Sequence, residues 1–413
     1  MIDWKLDAFF WLVLPIAVLE AARIARTELK QHRRALSGAL AFAAIELLII
    51  GICAATASPL VFLVLISLRH AIVSIREGQL WDRRLMKTAA MGAALVVLLA
   101  SGVGSFNAIA AIDLGPTLQR VILVLVGLTC VLAILPVRIE DEPKETLVAP
   151  LALILFTRVA LPIGAHEPLF AIVVPLVAAA LSLVCALWLL SAGARANQFE
   201  PSSLVSEILV CERGVILSFV WMGLASGDDL AEVGGLVYWW SGALALLALE
   251  ASLRRRPLPK PMAFFALAMA ISLPGTIGFV GEDLLANGLL ELRPALAALF
   301  MGVTAINAAA LYLALVNIIV DLRDAHPPHL PQPAEGRPST MMLTTAALAV
   351  VIGLAPGPFV DLATRAHTAV VHHPNRHLEE DREEDREEEK AEAGVAPDVG
   401  SFPGAASPPA SIH

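Results

Sequence analysis

The chain is poor in charge. Asp, Glu, Lys and Arg make up 16% of its 413 residues, against roughly 25% in an ordinary soluble domain. It has two tyrosines and four cysteines (Cys53, Cys130, Cys185 and Cys211), with no C-x-x-C or Cys/His spacing. Iron–sulfur and zinc sites therefore fail on ligand count, and the cysteines read as small apolar core residues. No small-residue cleavage site follows the first apolar run, so no cleavable signal is expected. What fills the chain instead is apolar: 57% of residues are hydrophobic and the mean hydropathy is +0.74. A soluble fold of this length could not bury that excess. A soluble enzyme, a nucleic-acid binder and a secreted disulfide scaffold are excluded.

The charge that exists is uneven. From Glu379 to the end there are eleven acids against three bases, so the tail carries nearly all of the net −9. The stretch after His377 reads as solvated and disordered, and 325–339 reads as a proline-rich loop.

A bilayer core needs roughly 20 apolar residues per helical crossing. Runs of that kind lie at 8–25, 36–57, 59–75, 87–106, 118–138, 147–164, 168–193, 204–225, 230–253, 261–290, 294–320 and 340–363. Only helices satisfy their own backbone in lipid, which predicts an all-α polytopic protein of about twelve spans. The odd connections hold eighteen Lys and Arg, among them Arg23, Arg26, Lys30 and Lys87, while the even ones hold only Arg293. By the positive-inside rule both termini should face away from the cytoplasm, in a bacterial-type inner membrane.

Ionisable groups inside apolar helices are costly and are functional candidates by default. Here they are Glu46, Arg69, His70, Arg158, Glu207, Glu212, Arg213, Glu232, Glu250, Glu282 and Asp283. Glu232 and Glu250 lie near run ends, where snorkelling to water is an alternative. Glu46, between Ile45 and Leu47, has no such outlet. A string of glutamates with interspersed arginines suits proton hopping, since desolvation and a neighbouring cation pull a carboxyl in opposite directions. It suits a sugar or a large organic ion poorly.

The tenth run is the most distinctive. Ser272-Leu-Pro-Gly-Thr-Ile-Gly-Phe-Val-Gly-Glu282-Asp283 places one proline and three glycines in mid-run, with two acids directly after. Pro274 removes a backbone hydrogen bond and the glycines permit unwinding, so a discontinuous helix near 272–283 is expected.

This segment resembles the broken twelfth helix of the antiporter-like subunits of respiratory complex I, Mrp antiporters and group 4 membrane-bound hydrogenases. Pro274, Gly275, Gly278, Phe279, Gly281 and Glu282 match its G-x-P-x-x-x-x-F-x-x-[EK] pattern, and Glu282 falls on the family's proton-relay position, where relatives also use Lys. Ala309-Ala-Leu-Tyr-Leu and Ile352-Gly-Leu-Ala-Pro-Gly-Pro-Phe resemble the last two helices of the same subunits. Upstream, Glu207-Ile-Leu-Val-Cys-Glu212-Arg-Gly-Val-Ile-Leu is similar to the L-E-N-G helix of hydrogenase-4 component E, related to the complex I subunit K. That resemblance implies a proton-moving role for Glu212 and puts Glu232 on a second acid. Arg213 replaces the family's Asn, and Tyr238-Trp-Trp takes a later polar position. The antiporter-like family also carries lysines in its middle helices; here Lys87 counts with a connection, no lysine counts within a run, and Arg158 is the one stand-in.

The resemblance divides the chain into divergent helices 1–165, a component E-like segment 166–256, antiporter-like helices 257–364 and an acidic tail 365–413. The whole is either component E joined to the last three antiporter helices, or one diverged antiporter-like subunit without its front helices. It implies a membrane subunit of a complex I-like or group 4 hydrogenase-like oxidoreductase, without cofactor or metal of its own. Such a subunit would move protons through Glu282, Glu212, Glu46, Arg158, Glu232, Asp283 and Glu207. Its partners would be other membrane-arm subunits, a soluble redox arm and lipid, with no nucleic acid. The alternatives are a stand-alone Mrp-type antiporter or other secondary transporter, and a non-conducting membrane anchor.

Overall fold

The computed structural model describes residues 6–31, 36–77, 83–111, 114–134, 149–164, 167, 169–195, 201–254, 260–324 and 340–371. The proline-rich loop 325–339 and the expected tail from 372 on lie outside them, while residues 365–371, expected as the start of that tail, belong to the last helix. Among the described residues every regular element is a helix. In chain order these are α1 (Ala8–Gln31), α2 (Leu36–Ala55), α3 (Pro59–Glu77), α4 (Arg83–Ala100), α5 (Pro116–Ile134), α6 (Pro150–Leu155), α7 (Leu161–Gly164), α8 (Phe170–Ala194), α9 (Pro201–Leu224), α10 (Asp229–Leu253), α11 (Lys260–Ala270), α12 (Ile277–Leu292), α13 (Pro294–Asp324), α14 (Thr340–Leu354) and α15 (Gly357–Val371). A 3₁₀ turn, Phe106–Ala111, precedes α5, and a π turn, Phe156–Ala160, joins α6 to α7.

Local chemistry sets the starts of these helices. Proline opens α3, α5, α6, α9 and α13, where its missing N–H costs nothing and its fixed φ suits the first turn. Asp228 caps α10 by accepting the Ala231 N–H at 2.8 Å, and Asp7 does the same for α1 from Phe10 N–H at 3.0 Å.

Among the described residues six helices are long and apolar enough to cross a bilayer: Ala8–Thr27, Gly38–Ala55, Pro116–Ile134, Phe170–Ala194, Asp229–Leu253 and Pro294–Ile319. The pair α14 and α15 makes a seventh if counted as one span, although it is bent by 89° at Ala355–Pro356. The chain is thus a multi-pass membrane protein, and by length and composition alone its described helices account for six or seven of the about twelve spans expected. Apolar stretches such as Pro59–Ser74, Leu85–Ala100 and Pro150–Gly164 are too short, and α9 carries Glu207, Glu212 and Arg213 within one span length.

The helix ends also correct the charge count in the connections. Arg23 lies inside α1 and Lys87 inside α4, and both are buried. Neither is a loop cation. The break in the tenth run is shorter than its glycines suggested: it spans Ile271–Thr276, and Gly278 and Gly281 already belong to α12.

α10 is the axis of the bundle. Every residue from Ala231 to Leu253 is buried, and α9, α11, α12, α14 and α15 pack round it. Its contact with α12 is backbone to backbone. A methyl at Gly234 would lie 2.6 Å from the Leu285 nitrogen, and one at Gly281 would lie 2.8 Å from the Tyr238 nitrogen. Small residues that let helices touch this closely are how bundles are held together in lipid, where apolar burial alone offers no driving force. Gly353 of α14 does the same at the break, where a methyl would meet the Gly275 carbonyl oxygen at 2.6 Å.

Substituting Gly234→Ala should therefore lower thermal stability in detergent, by about 1–3 kcal/mol for an overpacked contact. Gly302→Ala, where nothing lies within 4 Å, should be neutral or slightly stabilising, as alanine is the better helix former. Equal melting temperatures for the two variants would refute the close α10–α12 packing.

Candidate functional site

Three polar stations lie along α10, one near each end and one in between. At its first turn Glu232 meets the Nε2 of His367 on α15 at 2.6 Å. At its last turn Glu250 faces Arg23 of α1 at 3.6 Å and Arg254 at 3.3 Å, and Arg23 also holds Glu20 at 2.8 Å. Neither glutamate snorkels: both are buried and paired.

The middle station gathers the two glutamates singled out by the motifs. Tyr238 of α10 is within electrostatic range of both Glu282 and Glu212. The Ser272 hydroxyl, from the broken stretch, is in hydrogen-bonding reach of both Tyr238 and Glu282. Gly278 makes room for it, since a methyl there would sit 2.9 Å from the Ser272 Oγ. Ser272 is held at φ 52°, in the left-handed region that side chains avoid, and such strain persists only where the surroundings impose it. On the far side Glu212 of α9 accepts the Asn307 Nδ2 of α13 at 2.8 Å. Glu282 itself is half-buried on the second turn of α12, while Glu212 is fully buried.

Two polar atoms of this station are buried without a hydrogen-bond partner among the described residues: Glu212 Oε1 and Asn307 Oδ1. Buried polar atoms are normally satisfied. A pair of exceptions in an interior is where water or an extra proton is accommodated.

The N-terminal helices hold two further charge sets. Glu46 of α2 pairs with Arg69 of α3 at 2.8 Å, so two sequence candidates meet directly. Arg158 sits in the π turn, donates to Asp7 at 2.7 Å and to the Ala54 carbonyl at 3.3 Å, and lies over the Phe9 ring. π turns mark functional positions in helices, and here the extra residue lets one guanidinium bridge the start of α1 and the end of α2.

Two candidates fall elsewhere. Asp283 is exposed on the outside of α12, and Glu207 is half-buried on α9, accepting the Trp188 Nε1 at 3.1 Å on an exposed face. The residues missed from the sequence are the partners: Asp7, His367, Glu20, Asn307, Tyr238 and Ser272. Asp7 and His367 lie just beyond the ends of the apolar runs, and a scan for charges inside runs discards them.

Ser272 separates strain from chemistry. Ser272→Gly should relieve the left-handed backbone and raise stability by about 1 kcal/mol, whereas Ser272→Ala keeps the strain and gains nothing. Thermal unfolding of the two purified variants checks this; a less stable glycine variant would show that the hydroxyl, and not the backbone, dominates there.

No protein-family model and no curated protein sequence matches this chain. Solved structures do match it in three dimensions. A chain of the Mrp complex from Dietzia sp. DQ12-45-1b is 16% identical with a TM-score of 0.61, over 90% of this chain and 85% of that one. A chain of respiratory complex I from Thermus thermophilus is 18% identical with a TM-score of 0.62, over 90% and 86%. A chain of the membrane-bound sulfane sulfur reductase, an archaeal respiratory membrane complex, is 16% identical with a TM-score of 0.64, over 96% and 75%. The likeness thus runs far beyond the quarter of the chain that carries the sequence motifs. The fold is that of the antiporter-like membrane-arm subunits of these complexes.

Proposed function

We propose that the chain is a membrane-arm subunit of a complex I-like or group 4 hydrogenase-like oxidoreductase and takes part in proton translocation through Glu212 and Glu282. The observation that carries this reading is the middle station on α10. Two glutamates from separate helices lie within electrostatic range of Tyr238, one of them is close to Ser272 at a helix break, and Glu212 Oε1 and Asn307 Oδ1 lack protein partners among the described residues. A scaffold gains nothing from unsatisfied buried groups, each of which costs stability. A proton path needs them. Glu46 with Arg69, Arg158 with Asp7, and Glu232 with His367 are further charge sets along such a path; Glu207 and Asp283, on outer faces, suit contact with neighbouring subunits.

The partners under this reading are other membrane-arm subunits and a soluble redox arm, in a bacterial-type inner membrane with both termini on the non-cytoplasmic side. The full-length likeness favours one diverged antiporter-like subunit over a component E-like segment joined to three antiporter helices. A second reading, an Mrp-type ion/proton antiporter, draws support from the irregular helices. The sequence suggested one broken span; the 89° bend between α14 and α15 adds another, and breaks in more than one span are a habit of complete transporters.

The deciding experiment is acidification driven by redox turnover in vesicles carrying the assembled complex. Glu282→Gln keeps size and hydrogen bonding but cannot release a proton, so the complex should assemble while translocation falls about a hundredfold or more, the range that removal of a proton-transfer group produces. Glu282→Lys should retain part of it. Normal translocation in the Gln variant would make Glu282 a structural group and the chain an anchor. Proton movement driven by a sodium gradient, with no redox turnover, would favour the antiporter.

A further inference from the structure

The Glu232–His367 pair has a third member. Asp229, in the first turn of α10, lies 4.0 Å from the same His367 Nε2, and its side chain is 83% exposed. The His367 side chain is only 4% exposed and that of Glu232 11%. One nitrogen therefore faces an acid that is in contact with the outside and an acid that is inside the bundle. α15 brings the imidazole there because the 89° bend turns it away from α14 and lays it on α1, α7 and α10.

The other charges near this corner are engaged or face away. On α1, Asp7 holds Arg158, and Glu20 and Arg23 pair with each other and with Glu250. α7, Leu161–Gly164, has no ionisable side chain. Asp228 is occupied as the α10 cap, and Asp361 and Arg365 of α15 are exposed. The corner is not a cation site either, since no group of three or more His, Cys, Asp or Glu among the described residues could hold a metal ion.

We infer that Asp229, His367 and Glu232 form a proton-exchange port at the N-terminal end of α10, through which protons pass between the aqueous phase and the interior of the bundle. The inference rests on the proton-translocating reading above. In the loaded state an imidazolium stands between two carboxylates. Its Nε2 proton passes to Glu232, leaving a neutral imidazole and a neutral carboxyl. A new proton then arrives from water by way of Asp229; the 4.0 Å gap is too long for a direct hydrogen bond, so it is closed by a water molecule or a small ring rotation. Histidine suits this position because it alone titrates unperturbed between pH 5 and 8.

Two measurements on the full chain in its assembled complex test the port. The first is hydrogen exchange at the ring carbon of His367, followed by mass spectrometry as a function of pH. The exchange profile of His367 should change in Glu232→Gln, which removes the carboxylate 2.6 Å from Nε2, and change less in Asp229→Asn, which lies 4.0 Å away. A ring that exchanges at one rate across pH 5–9, or a profile indifferent to both substitutions, overturns the port.

The second is redox-driven acidification, as for Glu282. Asp229→Asn alters an exposed side chain and should fold normally, yet slow proton movement several-fold. His367→Gln should slow it about tenfold or more, and Arg365→Gln, on the exposed face of the same helix, should leave it unchanged. If Glu282→Gln stops translocation while Asp229→Asn and His367→Gln do not slow it, the port is wrong and the proton-translocating reading stands. If Glu282→Gln has no effect, that reading fails and the port fails with it.

Discussion

A carboxylate in an apolar helix has to be answered by another group, and that requirement organises this molecule. Stripping water from an ion costs several kcal/mol, which is recovered only with a well-placed partner and further hydrogen bonds. Glu46, Glu232 and Glu250 are each met across a helix interface by Arg69, His367 and Arg23 respectively. Those contacts fix which helices neighbour which, and at what depth. Glu212 is the exception: an amide, that of Asn307, meets one of its oxygens and the other is left over.

α10 turns these pairings into a single structure. It is buried along nearly its whole length and carries an acid near each end with Tyr238 between them. A helix in that position must offer small residues where neighbours touch it, and Gly234 and Gly235 do so. The close approach of α12 sets Glu282 beside Tyr238, so the packing glycines and the polar station are parts of one design.

Much of this was legible in the sequence because membrane helices advertise their exceptions. Glu46, Arg158, Glu212 and Glu282 stand out against apolar neighbours, and Pro274 with its glycines announced a break. What stayed hidden has physical reasons. Asp7 and His367 sit where a run gives way to polar sequence, so their burial depends on where a bend carries them. Arg23 counts with a connection although it lies near the end of the first apolar run; Glu20, one turn earlier, meets it inside the helix. Gly278 and Gly281 looked like unwinding residues and are contact residues; composition cannot separate these uses. The number of spans is harder to read for a related reason, since an apolar run need not be one straight helix long enough to cross.

The spacing of these pairs along the chain has a consequence for biogenesis. A helix entering the bilayer during synthesis meets only what precedes it. Glu20 and Arg23 lie three residues apart, so α1 arrives with its two buried charges already matched. Glu46 waits 23 residues for Arg69. Asp7 waits 151 residues for Arg158, Glu212 waits 95 for Asn307, and Glu232 waits 135 for His367. Glu20 and Glu46 are neutralised within a helix or a hairpin, Asp7 is met only at the π turn, and Glu212 and Glu232 stay unmatched until α13 and α15 have been made. The interior that handles polar chemistry is thus the last part of the chain to close, and α15 closes it.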